Sequence, residues 1–207
     1  MFNITVYRKF ASICTLAVIA LGIACSGQKI GQSNSTSTTG GVIRLQGSGA
    51  SFPKPIYEKW VNEFGKVNPN VSIDYQATGS GAGQKALVAK TADFGASDDP
   101  MSDADLKSAG SEILHIPTVL GAVVLTYNLE GIKEPLKLSS QTISDIYLGH
   151  IKKWNDEKLK KDNPTLNLPE TEILPVYRAD SSGTSAVFTD FLSKTVPEWK
   201  EKVGMNK

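Results

Sequence analysis

The 207-residue chain reads as an α/β protein with a largely parallel sheet. Three observations predict it. Short alternating or β-branched runs ("VIRLQ", "VSIDYQA", "EILPVYRA") take turns with longer stretches whose apolar residues recur at helical spacing. Three of the strand-like runs pass into the next helix through turns rich in glycine and serine: "GSGAS" from Gly47, "TGSGAG" from Thr78 and "ADSSGTS" from Ala179. The composition, 40% apolar and 21% charged, is that of an ordinary globular protein.

The first 24 residues read as an export signal. Arg8 and Lys9 precede "FASICTLAVIALGIA", an uncharged run short of the ~20 residues a spanning helix needs. Cys25 closes that run, and a cysteine there predicts lipidation after cleavage. Gly22 stands where a lipobox usually has leucine, so plain cleavage near Gly22 or Ala24 is the alternative. Residues 25–41 are polar and rich in Ser, Thr and Gly, which predicts a tether. Cys14 and Cys25 are the two cysteines, so the body beyond the tether has no disulfide framework and no thiolate metal site.

The globular part begins near Val42 with the strand "GVIRLQ". Pro53 and Pro55 suit the start of a helix, whose Ile56, Trp60, Phe64 and Val67 fall on one face. "VSIDYQA" is the next strand, "GQKALVAK" a short helix and "ADFGAS" a brief buried strand. The longest apolar stretch, "EILHIPTVLGAVVLTYN", is broken by Pro117 and Gly121 into two predicted strands. "TISDIYLGHIKKW" has helical periodicity through Ile143, Ile146 and Tyr147. "EILPVYRA" is predicted as a strand. "SAVFTDFLSK" is predicted as a helix burying Val187, Phe188, Phe191 and Leu192.

Each glycine-serine turn lies at the carboxyl end of a strand and the amino end of a helix. Open α/β folds bind ligands at that edge, and a helix start offers unpaired amides with a partial positive charge. Hydroxyls add donors, and glycine lets a ligand approach the backbone. Simple capped turns use the same residues. Three such turns, one opening on Arg178, favour an oxyanion site.

The overall charge is +1, and removal of Arg8 and Lys9 with the leader leaves it near −1. That balance points to neither nucleic acid nor a membrane surface. Other chemistries lack their residues. No G-x-S-x-G is present, and the two histidines, His115 and His150, lie in an apolar run and on a predicted helix, where structural roles fit. Lys85 follows "GSGAGQ" but precedes Ala86, so no phosphate-binding P-loop forms. The residues predict no enzyme, metal or cofactor.

Six segments occur in this order: "GSGASFPKPIYEKW", "YQATGSGAG", "DFGASDDPMSD", "IPTVLGAVVLTYN", "DIYLGHIKKWND" and "RADSSGTSAVFTDFL". Together they closely resemble the periplasmic phosphate-binding proteins of bacterial ABC-type phosphate uptake systems. The resemblance implies a two-lobed, hinged α/β fold of the periplasmic-binding-protein type II class, with the ligand in the interlobe cleft. It implies a monomer without a cofactor that delivers inorganic phosphate to permease membrane subunits driven by a cytoplasmic ATPase, touching the membrane only through its lipid. The implied ligands are Ser51, Phe52 through its amide, Ser80, Asp98, Arg178, Ser182, Gly183 through its amide, and Thr184. Asp180 is implied as the partner that steadies Arg178. In that family the position of Ser51 is often threonine, which keeps the hydroxyl.

Arg178 would then supply a fixed cation and a planar fork of donors. Asp98 would accept the proton that phosphate keeps and sulfate lacks, discriminating by repulsion. Without the resemblance, Asp98 reads first as the cap of the helix in "PMSDADL" and only second as a ligand. The implied lobes are 42–117 and 118–207, with the crossover near Pro117. Members of the family run longer, so the chain reads as C-terminally truncated. A binding protein for sulfate, molybdate or a phosphate ester is an alternative function, as is a surface lipoprotein without a transport role.

Overall fold

The structure, a computed structural model, describes residues 41–205. The predicted signal peptide, the lipidation expected at Cys25 and nearly all of the tether lie outside the described residues. Strand β1 (Ile43–Gly49) is central in a three-stranded parallel sheet, flanked by β2 (Val71–Gln76) and β3 (Phe94–Ala96). Helix α1 (Lys54–Val67) links β1 to β2, and α2 (Ser80–Val88) leads toward β3. The alternation predicted from the sequence is thus present in this half, parallel sheet included.

Bare backbone sets how closely these pieces meet. A Cβ on Gly83 would lie 2.4 Å from Gly49 Cα and 2.5 Å from Ser48 O, so α2 packs directly on the end of β1. Gly47 lies opposite Tyr75 on one side and Phe94 on the other. With no side chain there, the two rings meet across β1, stacked at 6.2 Å, and Tyr57 of α1 meets Tyr75 edge-on at 5.1 Å. The predicted face of α1 is only loosely covered: Trp60, Phe64 and Val67 stay exposed.

Helix α3 (Asp103–Ser108) is capped by Ser102, whose Oγ accepts from Asp105 N at 3.2 Å. Ser102, not Asp98, therefore starts this helix, and the capping reading of Asp98 falls. The two strands predicted between 112 and 128 do not form. Among the described residues, no backbone group of 113–128 bonds to another backbone group. Leu114, Ile116, Leu120 and Val124 are exposed. The strand predicted in "EILPVYRA" is likewise reduced to one antiparallel bridge, Lys153 to Glu172, and Leu174, Val176 and Tyr177 stand exposed. Both runs have strand composition, but a strand also needs a neighbouring backbone to bond to; the first run has none among the described residues and the second only the 152–153 segment at its start.

The remaining helices are α4 (Ser140–Tyr147), α5 (Glu157–Asp162), α6 (Gly183–Thr195) and α7 (Pro197–Lys202). The helix predicted through Trp154 stops at Tyr147, because Gly149 takes a left-handed φ of 76°. Ile146, Ile151, Leu159 and Leu168 form one core cluster, and Leu192, Val196 and Trp199 another. On α6 only one of two apolar rows turns inward. Phe188 and Leu192 face Tyr147 and Trp199, whereas Val187 and Phe191 on the adjacent row are exposed, contrary to the prediction for them.

Candidate functional site

The three glycine-serine turns converge. The β1–α1 turn carries Ser51 and Phe52, α2 begins at Ser80, Asp98 follows β3, and the segment ahead of α6 carries Arg178 and Asp180. Ser182, Gly183 and Thr184 open α6. The first two turns and Asp98 meet because β1, β2 and β3 are parallel and place their carboxyl ends on one edge of the sheet. The turn ahead of α6 follows no strand and is held there by its own bonds.

Specific bonds join them. Arg178 Nη1 donates to Ser51 Oγ at 3.0 Å, across 127 positions of sequence. Thr184 Oγ1 donates to Asp98 Oδ2 at 2.8 Å, and Asp98 N donates to Ser80 Oγ at 3.3 Å. Gly81 N donates to Ser181 O at 3.1 Å, docking the start of α2 on the turn before α6. Gly183 lies flat against Ser80 and Asp98, since a Cβ on it would come within 2.5 Å of Ser80 Oγ and 2.9 Å of Asp98 Cβ. Gly79, with φ of 96°, turns the chain where a Cβ would strike Asp180 Oδ2 at 2.7 Å. Two of the glycines that mark these motifs are thus demanded by close approach, and the second also by its dihedral angle.

Asp180 holds the Arg178 guanidinium in a fork. Nε donates to Oδ1 at 2.7 Å and Nη2 donates to Oδ2. This bonding from Arg178 keeps the Asp180 carboxyl below its usual range and lifts the arginine further above its own. The pair leaves Nη1 as the arm directed at the β1–α1 turn.

Around this arm the donors are unspent. The amides of Ser51, Phe52, Ser80, Gly183 and Thr184 have no hydrogen-bond partner among the described residues. Ser182 is fully buried, and its Oγ accepts from Ser185 N at 3.3 Å as the cap of α6. Its hydroxyl proton is still available to a ligand. Ser80 is 1% exposed. Ser80 and Gly183 are buried, where a donor left open is costly unless something accepts from it, whereas Ser51 and Phe52 are exposed. Asp98 and Thr184 also line a cavity of about 230 Å³ with Phe52, Tyr57 and the 116–123 segment.

Two further contacts at the site were not expected from the sequence. Ser48 and Thr78 share a hydroxyl–hydroxyl bond at 2.7 Å, tying β1 to the turn before α2. Tyr75 Oη donates to the carbonyl of Ala50 at 2.5 Å. Away from the site, Asp145, His150 and Glu198 bring ligand-capable atoms within 4.8 Å of one another. Lys158 bonds Asp145 at 2.5 Å, and Lys202 bonds Glu198 at 2.7 Å. With His150, Lys202 holds the Glu198 carboxyl down at about 2. Cations already occupy these carboxylates, and the cluster works as an ion-pair network linking α4, α5 and α7.

Comparison with known proteins places this arrangement among relatives. Residues 31–207 match the family model described as the PBP superfamily domain. The phosphate-binding protein PstS of Haemophilus influenzae is 47% identical over 164 residues, covering 79% of this chain and 48% of that protein. The protein of the same name from Methanocaldococcus jannaschii is 39% identical over 201 residues, covering 94% of this chain and 51% of its own. The chain therefore spans about half the length of the curated relatives it matches. A Clostridium perfringens substrate-binding protein crystallised with phosphate shares the fold, with a TM-score of 0.51 at 24% identity over 79% of this chain and 57% of that one.

Proposed function

Because the chain belongs to the PBP superfamily, where its relatives are phosphate-binding proteins, we propose that it binds inorganic phosphate where the three turns meet. The bound ion would be handed to the membrane subunits of an ABC-type import permease. One observation carries the reading: Arg178, the cation bonded to the turns, stands among amides that have no other acceptor. In this reading Arg178 meets the anion with its Nη1 arm, Ser51, Ser80 and Ser182 donate hydroxyls, and Thr184, whose hydroxyl is given to Asp98, donates its open amide. The amides of Ser51, Phe52 and Gly183 complete the shell. Hydrogen bonds to charged groups contribute about 1.5–3 kcal/mol each, so half a dozen exceed the roughly 8 kcal/mol of micromolar binding. The difference is absorbed by desolvation and by ordering the turns. A net positive surface is not required.

Asp98 gives the site its selectivity. It accepts from Thr184, and it faces the same anion as the donors. A protonated phosphate oxygen can donate to this carboxylate. Sulfate at neutral pH has no proton to offer and meets an unrelieved like charge. Titration calorimetry near pH 7 on the whole gene product tests both claims. Phosphate is expected to bind at least about 100-fold tighter than sulfate, and Asp98→Asn is expected to narrow that gap by about tenfold or more. Equal or tighter sulfate binding would reassign the site to another oxyanion.

In the same proposal residues 42–117 and 118–207 belong to two lobes that meet at the ligand, with the crossover near Pro117. The protein is exported and held at the membrane by lipid on Cys25, with residues 25–41 as tether. The charged start, the apolar run and the cysteine at its end support this. Cys25→Ala is expected to move the protein from the membrane to the soluble fraction. A wild-type protein already soluble, with a mature start other than Cys25, overturns the anchor.

A further inference from the structure

The amide of Ser51 is an open donor, and its direction is set by a residue outside the ligand shell. Ala50, just ahead of it, is 1% exposed and gripped at both ends. Its N–H donates to Ala96 O of β3 at 2.8 Å, and its carbonyl accepts from Tyr75 Oη of β2 at 2.5 Å. The Ala50 carbonyl and the Ser51 N–H belong to one peptide unit. In a planar trans peptide the two point in opposite directions, so a hand on the carbonyl aims the amide. A hydrogen bond to the carbonyl also polarises the unit and makes its N–H a stronger donor.

The phenol is itself held still. Its ring stacks on Phe94 at 6.2 Å and meets Tyr57 edge-on at 5.1 Å. Gly47 makes this possible, since a Cβ there would come within 2.1 Å of the Phe94 ring. Burial, with Tyr57 and Asp98 adding to it, pushes the Tyr75 hydroxyl well above its ordinary range, so it remains a protonated donor. Ser51 N–H, on the far side of the peptide, has no partner among the described residues.

We propose that Tyr75 is a positioning residue that aims and strengthens the Ser51 amide toward the bound anion. This rests on the phosphate reading of the site. Tyr75→Phe keeps the stacked ring and removes only the hydroxyl. Phosphate affinity by calorimetry is expected to fall about 3- to 10-fold, the range for one net hydrogen bond, with little change in melting temperature. By proton–nitrogen NMR, the downfield shift of the Ser51 amide on adding phosphate should shrink, while the shifts at Ser80 and Gly183 persist. A purely structural role would move all three together.

Tyr57→Phe serves as the control, because its hydroxyl bonds to Thr118 Oγ1 at 2.8 Å and not to the turn. It should bind phosphate as wild type does. Unchanged affinity in Tyr75→Phe, an undiminished Ser51 shift, or equal weakening in Tyr57→Phe each overturns the role given to Tyr75 and leaves the phosphate reading standing. A wild-type protein that does not bind phosphate removes that reading, and this proposal with it.

Discussion

Arg178→Ala is expected to weaken phosphate binding by about 100-fold or more while shifting the melting temperature little. The two effects separate because the residue has two kinds of partner. Its pair with Asp180 is partly exposed, 37% and 44% by side chain, and exposed pairs contribute only about 0–1 kcal/mol to folding. Its contact with the anion is different. Removing one member of a hydrogen-bonded charge pair at a binding site costs about 2–5 kcal/mol, and each 1.4 kcal/mol is tenfold. Part of that cost is the carboxylate left behind, since Asp180 without its arginine repels the ligand. Arg178→Ala combined with Asp180→Ala should therefore recover some of the affinity lost by the single change. Calorimetry on the three proteins decides it. A loss under about fivefold in Arg178→Ala, or a double variant weaker than the single one, means the anion does not sit where the turns converge.

The same residues show how far the sequence could be read. The site was legible because its parts are local: each turn carries its own glycine, hydroxyl and helix start within a few positions. Parallel strands then bring the first two turns to one edge, whereas the turn at Arg178 follows no strand and its place there had no local signal. Asp180 as the partner of Arg178 was implied by the family resemblance, and the structure holds the two in a fork. Asp98 was harder, because an aspartate ahead of a helix reads first as a cap. Ser102 holds that position, with its Oγ accepting from Asp105 N at 3.2 Å. Tyr75 was not legible at all. It reads as an alternating strand residue, and its bond to Ala50 depends on where the ring leans across a bare Gly47.

The fold was legible where local pattern and tertiary partner agree. β1, β2 and β3 each have a neighbour, and each forms. The 112–128 and 172–179 runs have equal or greater strand character, yet the first lies unpaired and the second is paired only at its start, with Leu120 at 96% and Leu174 at 86% exposure. Composition records what a segment prefers beside a partner; it does not supply one. Helix faces show a second limit. Val187, Phe188, Phe191 and Leu192 form two adjacent rows of α6, and periodicity alone does not say which row meets the core. Tyr147 and Trp199 decide it, and both come from other helices.

Gly49→Ala is expected to lower the melting temperature by on the order of 10 °C, the largest stability effect among the glycines of the site. Gly49 ends β1 with φ of 148°, a conformation that side-chain-bearing residues rarely take. An added Cβ would stand 2.0 Å from Ala96 O and 2.7 Å from Ala96 N. Both are backbone atoms of β3, so no rotamer relieves the clash. The same carbonyl of Ala96 accepts from Ala50 N at 2.8 Å, and Gly49 O accepts from Gly79 N at 2.9 Å. The methyl group thus drives apart the strand end that positions Ser51 and the turn that leads to Ser80. Strain and overpacking of this kind cost about 1–3 kcal/mol each, and here they add. Gly65→Ala provides the contrast, because Gly65 lies inside α1 with nothing within 4 Å of its added Cβ. It should hold or raise stability by about 0.5–1 kcal/mol, as alanine does in a helix. Thermal unfolding of the two variants beside wild type separates position from chemistry, since both make the same substitution. A Gly49→Ala protein melting within about 2 °C of wild type would show that β3 can yield at Ala96. The tight strand end would then not be what holds the first two turns at the site.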